Sequence, residues 1–523
     1  MSGMPSIFQV SSSRYKRRPG GSISGGPGRM RHGRPNRRQG GRQTYGPGIY
    51  GGRYCNISSK RLCVCCIGHE NVWRKQETDD MGQVFRLSNW IKAFRYLKKN
   101  GIRAAVWAVQ ERVLQERKAV WQYRRPDREV LEAQHMEAVA AREPLVFSIA
   151  VPAFQTNPVY LKELLDSLQE QSYPYWELLL ADAGGSDGME KAVRERADER
   201  IRYIRLPANE GIAGNTNAAI REASGSYIGL LDHDDVLTPD ALYEMARAIR
   251  EKEEKGIRPV FLYSDEDKWD GEENYYEPHR KLDFNLDLLL SNNYICHFLV
   301  MDATLMKRLL LRPGFDGAQD YDLVLRASEG VLHGRPEEAY VHIPKVLYHW
   351  RCHRESTASN PASKSYAYEA GRRALEDFAR RQGWTVRVAD TRHLGFYRME
   401  FLPDPLSQRA DLAAVAGPLP PAGGRLVSGI YEKEEGGNVQ MRFRGLRRRF
   451  SGYMHRAVLL QDVETADIRT MQVRPQWEKA LGKALQEIRA GADAALISRN
   501  FCERLRKEGG RILWDPYRKE GNQ

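Results

Sequence analysis

From Phe147 onward, short apolar runs alternate with stretches of helical period. Phe147-Ser148-Ile149-Ala150-Val151 has the continuous apolar character of a buried strand. Asn157-Pro158 then caps a helix that turns Leu161, Leu164, Leu165 and Leu168 inward. Trp176 to Ala181 predicts a second strand and Ile201 to Leu206 a third. A helix follows from Ile212 to Ser224, closed by Gly225, and Tyr227 to Leu231 predicts a fourth strand. Strands alternating with helices imply an α/β fold: a mostly parallel sheet with helices on both faces. In such sheets ligands bind beyond the carboxyl ends of the strands.

Upstream, residues 84–123 predict helix. Leu87, Trp90, Ile91, Phe94 and Leu97 share one face, flanked by Arg86, Lys92, Arg95, Lys98 and Lys99, and Asn100-Gly101 is a stop signal. A second run carries Ile102, Val106, Val109, Val113 and Leu114. A basic amphipathic helix can lie on an anionic membrane surface, although such helices more often pack on their own domain. Downstream, residues 402–424 contain Pro403, Pro405, Pro418, Pro420, Pro421 and Gly423-Gly424, a linker composition. Residues 425–523 predict a smaller α/β unit. The resulting division is a tail over 1–80, a helical extension over 81–143, a sheet domain over 144–401, a linker over 402–424 and the C-terminal unit.

Charge changes the picture only at the N-terminus. The chain has 523 residues and a formal net charge of +13, of which residues 1–80 supply +11. That segment is rich in Gly, Arg, Ser and Pro, cannot bury enough apolar surface to offset its chain entropy, and reads as disordered. Nucleic-acid or anionic-membrane contact is one role for it, and a non-native extension the other. Met81-Gly82 would make a sensible start. No RRM- or KH-type signature supports an RNA-associated protein, so a nucleic-acid partner is not expected. No export signal or bilayer-length apolar run occurs, which points to a cytoplasmic protein, peripheral at most on the inner face of the membrane. Seven cysteines without a secretion signal suggest no disulfide framework. Cys63, Cys65 and Cys66 lack the second pair that a zinc ribbon needs.

Candidate chemistry sits at the expected strand ends. Asp182-Ala183-Gly184-Gly185-Ser186-Asp187-Gly188 follows the second strand, and Asp232-His233-Asp234-Asp235 follows the fourth. Ser264-Asp265-Glu266-Asp267 follows a strand predicted over Val260 to Tyr263. Three carboxylates in four residues repel one another unless a cation screens them, and a hard divalent ion with oxygen ligands does that. There is neither a G-x-G-x-x-G dinucleotide fingerprint nor a G-x-x-x-x-G-K-[ST] phosphate loop.

Together with Val151-Pro152-Ala153-Phe154, Asn209-Glu210-Gly211 through Asn217, Gly317-Ala318-Gln319-Asp320-Tyr321-Asp322 and Tyr348-His349-Trp350-Arg351-Cys352-His353, these stretches resemble family 2 glycosyltransferases of the GT-A fold. Within that family they are similar to bacterial rhamnosyltransferase-like polysaccharide enzymes. The resemblance covers about half the chain and implies a role for each matched residue. Asp182 would contact the nucleotide base, with Ala153 and Phe154 lining that pocket. Asp232 would hold the donor ribose, and Asp234, Asp235 and His349 a divalent metal, Mn or Mg. Arg351 and His353 would lie near the diphosphate, Asp320 would be the catalytic base, and Gln319 would meet the acceptor. Two departures matter: Ala183 replaces a usual second Asp, and Gln319 replaces a Glu and cannot carry charge. A single base with a metal-bound leaving group implies inversion. The implied partners are a UDP- or dTDP-sugar donor and a saccharide or lipid-linked acceptor in cell-surface polysaccharide synthesis. Arg511 to Tyr517 resembles the end of a second glycosyltransferase-like half, here short and without a DXD cluster. The alternatives are an inactive sugar-nucleotide-binding protein of this fold and an RNA-associated protein acting through the Arg/Gly tail.

Overall fold

The structure is a computed structural model. It describes residues 87–115, 121–185, 187–352, 365–433 and 439–518, all within one compact unit, Gln76–Gln523. The expectations for residues 1–80, the zinc reading of Cys63 to Cys66, and His353 therefore lie outside the described residues.

The main sheet has nine strands: β1 (Phe147–Ala153), β2 (Trp176–Asp182), β3 (Ile201–Arg205), β4 (Tyr227–Leu230), β5 (Val236–Leu237), β6 (Phe261–Trp269), β7 (Tyr275–His279), β8 (Leu299–Asp302) and β9 (Tyr340–Arg351). Their order is β3-β2-β1-β4-β8-β6-β9-β5, with β7 on the far end of β6. The first four are mutually parallel, β8 runs against both β4 and β6, and β6 and β9 are again parallel. The α/β class and the mostly parallel sheet are as expected. The apolar runs form these strands because both faces are covered: every residue of β1 is buried, as are all but one of β2. Helix Pro158–Gln169 starts at the Asn157 cap, whose side chain accepts from the Val159 amide.

Register puts the functional ends in line. Ala153 pairs with Asp182, and Ala150 with Leu230. Leu230 also faces Leu299, and Leu299 faces Tyr263. Two residues on from this row come Asp232, His297 and Asp265, with the Ala153–Asp182 pair three residues on from Ala150, so these strand ends lie within one residue of the same level, with neighbouring strands about 4.8 Å apart.

Two expectations are corrected. Ser264 to Asp267 is not a loop beyond a strand, because β6 continues through it to Trp269, paired on β9 as far as Arg351. The 402–424 segment is not a linker. Leu412–Ala416 is a fully buried strand, parallel to Arg511–Trp514, in a second sheet completed by Gln461–Asp462 and Gln472–Val473. Leu412, Val415, Leu459, Leu460 and Leu513 join the same apolar cluster as Phe261 and Leu289. Arg409, fully buried, bridges Asp287 and Asp411 across the join. The helical extension is present as Leu87–Gln115, broken at Gly101, where φ is 80°. Among the described residues no helix is long and apolar enough to cross a membrane.

Candidate active site

Asp182 ends β2. Its Oδ1 accepts from the Gly184 amide at 2.7 Å and its Oδ2 from the Tyr203 hydroxyl at 2.8 Å. These bonds shape the following loop and still leave lone pairs for a further donor. Ala153 is buried at the end of β1, and its carbonyl accepts from the Ala183 amide. Next along the chain, Phe154 is exposed, an aromatic face open to a planar ligand.

The acidic turn after β4 divides by environment. Asp232 is partly open to solvent. Burial raises its carboxyl above the usual value, His297 opposes the rise, and the negative charges of Asp234 and Asp320 add to it. Asp232, Asp234, Asp320 and His297 are thus close enough to feel one another's charge. Asp235 is bonded to the neighbouring strand. It is fully buried, accepting from the Arg351 amide at 2.7 Å and from the Tyr348 hydroxyl. The expected metal role of Asp235 is therefore corrected: its carboxylate ties the turn to β9.

The Asp320 carboxylate lies in the first turn of helix Gln319–Ser328 and accepts from the Asn293 side-chain amide at 2.7 Å. Gly317, just before it, has φ of 92°, and a Cβ there would meet Tyr366 at 2.7 Å, so glycine is what lets the chain enter the helix here. The side-chain oxygen of Gln319 accepts from the Gly317 amide. Asp322, two residues on, is a different object: it is buried and accepts from Arg312 and Arg326. Asp265 is likewise committed, to the Lys281 amide and His342.

Two further expectations are corrected on β9. Side chains alternate along a strand. Tyr348 stacks on His297, with ring centroids 4.7 Å apart, and so faces the Asp232 side. His349 faces the opposite side. Its Nδ1 bonds Asp267 at 2.6 Å, and its ring lies against Tyr123 and Tyr275. It does not join Asp232 and Asp234 as a metal ligand. Arg351 does not project toward a diphosphate. It is sandwiched between Tyr160 and Trp269 at 4.4 and 4.1 Å, pairs with Glu163, and donates to the Asp234 carbonyl. It is a positioning residue that fixes the acidic turn from behind.

Among the described residues no group of three or more His, Cys, Asp or Glu converges as a ready metal cage. The residues still fit a divalent ion of another kind. Mg²⁺ is usually held by one or two carboxylates together with substrate phosphates. Asp232 and Asp234 offer hard oxygens, and burial above all, with the neighbouring charges of Asp234 and Asp320, makes the ionised Asp232 carboxylate costly, a cost that a cation would relieve.

Sequence reasoning missed Asn293, which orients Asp320, and His297, which flanks Asp232. Both lie in Ser291-Asn292-Asn293-Tyr294-Ile295-Cys296-His297, a polar run entering a buried strand, which was the available signal. It also missed Trp121 and Tyr123. The Trp121 ring nitrogen donates to Asp267 at 2.8 Å, so the segment after the helical extension reaches the β6–β9 layer.

Residues 148–313 match Glycosyl transferase family 2, so the chain carries a segment similar to that family. The sheet and its flanking helices form the α/β fold of GT-A type expected of it. The uncharacterized protein y4gI of Sinorhizobium fredii is 42% identical over 250 residues, covering 47% of this chain and 26% of the relative. The O-antigen biosynthesis protein RfbC of Myxococcus xanthus is 36% identical over 272 residues, covering 51% and 20%. The chain thus spans only about a quarter of these relatives' lengths. Among solved structures, S. aureus TarS 1-349 in complex with UDP is 18% identical, covering 45% of this chain and 65% of that one, with a TM-score of 0.35.

Proposed function

We propose that the protein transfers a sugar from a nucleoside diphosphate donor to a hydroxyl of a saccharide or lipid-linked acceptor, with inversion, in cell-surface polysaccharide synthesis. The observation that carries this reading is that Asp232, at the end of β4, feels the negative charges of both Asp234 and Asp320, the last in the first turn of helix Gln319–Ser328. The base would lie near Ala153, Phe154 and Asp182, and the sugar of the nucleotide at Asp232. A divalent ion, Mn²⁺ or Mg²⁺, bound through Asp232 and Asp234, would supply charge stabilisation to the leaving diphosphate. His353 belongs to this proposal as a further cation near the diphosphate. Asp320, oriented by Asn293, takes the proton of the attacking hydroxyl, which lies opposite the departing diphosphate. Gln319 stands beside it at the acceptor side. RfbC, whose printed role is O-antigen biosynthesis, supports a polysaccharide product. The UDP bound to TarS is one donor nucleotide to try first. The donor is a UDP- or dTDP-linked hexose or rhamnose under this proposal, and the enzyme works peripherally at the inner membrane face.

The test is a donor screen. UDP-, dTDP- and GDP-sugars are each incubated with the full chain and Mn²⁺ or Mg²⁺, and nucleoside diphosphate release is measured. Release from one donor class, abolished by EDTA, is expected. No release from any donor, with or without metal, would contradict the proposal.

A further inference from the structure

A cavity lies between the helical extension and the C-terminal unit and shares no lining residue with the site described above. Residues 439–456 contain six arginines and no Asp or Glu. Four arginines, Arg425, Arg444, Arg447 and Arg456, line a cavity of about 610 Å³ together with Phe443 and Phe450. An adjoining pocket of about 320 Å³ shares Arg447 and Phe450 and adds Arg448, Arg449 and Trp107.

Among the described residues no carboxylate pairs with the charge of this wall. Its one carboxylate, Glu111, spends Oε1 on the amides of Ser451 and Gly452, at 2.7 and 2.6 Å. None of the four arginines forms an ion pair among the described residues, whereas Arg312, Arg326, Arg409 and Arg511 all do. Arg456 donates to the Arg280 carbonyl, and burial pulls its guanidinium below the ordinary arginine value. Crowded guanidiniums repel one another, and a bound anion removes that cost. Their planar forks match phosphate oxygens two at a time. Phe443 and Phe450 give an apolar or ring-shaped body a surface to lie on.

The geometry points to a binding site for a phosphate ester: the phosphoryl anion rests on the arginines, and the body it is attached to lies against the two phenylalanines. This inference does not rest on the donor reading, because the two sites have no residue in common. The ester has two sources, a soluble sugar phosphate or the headgroup of an anionic lipid. The second draws support from Ile102, Val106 and Val109, which stand exposed on the helix that carries Trp107.

The experiment uses the full chain in EDTA, with two probes: inorganic pyrophosphate by calorimetry, and phosphatidylglycerol-containing vesicles, against phosphatidylcholine alone, by co-sedimentation. Arg444 and Arg447 are exposed, so Arg444→Ala with Arg447→Ala should leave the fold intact. A charge-matched pair, Arg128→Ala with Arg504→Ala, controls for general electrostatics. Binding of at least one probe, weakened more than about tenfold in the cavity variant but not in the control, is expected, since the variant loses two guanidinium donors to the anion. Pyrophosphate binding without vesicle binding identifies a soluble ester. Vesicle binding that also falls in Ile102→Ser with Val106→Ser identifies a lipid headgroup. The inference is overturned if wild type binds neither probe, if the cavity variant binds as wild type does, or if the control falls equally. Pyrophosphate binding lost in Asp232→Ala but kept in the cavity variant would place the anion in the cleft and overturn it too.

Discussion

Two sets of carboxylates look alike in the sequence and behave differently in the fold. Asp232, Asp234 and Asp320 stand at the ends of a strand and a helix, with Asp232 held above its usual value by burial, to which Asp234 and Asp320 add. Asp235 and Asp322 lie within two residues of that set along the chain and Asp267 in the next acidic run, yet each is buried and bonded to a named partner: Arg351 and Tyr348, His349 and Trp121, Arg312 and Arg326. Under the proposed function the first set meets the ligand, and the second serves the fold. Position on an element decides which: where the strand ends, the side chain meets the cleft, and where it continues, the neighbouring strand claims it.

The largest effect that would break this division is on turnover. Asp320→Asn should lower kcat by about 10²–10⁴-fold, the usual contribution of a positioned base, with donor affinity and melting temperature near wild type. Steady-state kinetics with the donor found in the screen measures it. A folded variant at wild-type rate would remove Asp320 from the chemistry.

Next in size is the loss of a buried anchor. Asp322→Ala strands Arg312 and Arg326 and should cost about 3–5 kcal/mol in denaturant unfolding. Asp235→Asn keeps the shape but weakens the acceptor for the Arg351 amide and the Tyr348 hydroxyl, at about 1–3 kcal/mol. Little change in either would show that these carboxylates are not structural.

The smallest effect has the opposite sign. A carboxyl raised by folding contributes most below its ordinary value of 3.8, and that contribution is lost as pH rises through the raised value. At neutral pH without metal or donor, Asp232 therefore strains the fold, and Asp232→Asn should stabilise it by about 0.5–2 kcal/mol while removing donor binding. Asp377 runs the other way. Burial would raise it, but Arg312, Arg381 and Arg380 outweigh burial and hold it low, so its contribution is present at neutral pH and fades as pH falls through the carboxylate range. Melting curves of wild type, Asp232→Asn and Asp377→Asn across pH 3–8 would show the two slopes diverge, and parallel curves would contradict the division.

The first half of the sheet was legible because β1, β2 and β4 are apolar runs that end in polar turns, and that contrast marks a strand's carboxyl end. The residue type of Asp320 was legible for a similar reason, with a glycine before it and an apolar helix after. What a one-dimensional pattern does not carry is face. Nothing in Tyr348-His349-Trp350-Arg351 says which residues share the Asp232 side until pairing with β6 and β5 fixes the strand. Arg351 could not be separated from a phosphate ligand without seeing Tyr160 and Trp269 on either side of it. The strand Leu412–Ala416 was hidden by the prolines and glycines around it and by its own small side chains, which pack tightly but give a weak apolar signal. The arginines of 439–456 vanished into a near-neutral average over the body, although the fold gathers them around one cavity.

One measurement separates the two carboxylate regions most directly: calorimetry of a nucleoside diphosphate with Mn²⁺ on Asp234→Ala and on His349→Ala, with melting curves to confirm that both are folded. Asp234 belongs to the cleft, and His349 lies on the other face of β9, held by Asp267. The account predicts that metal-dependent binding disappears in Asp234→Ala and persists in His349→Ala. Undiminished affinity in Asp234→Ala, or binding lost only in His349→Ala, would contradict it.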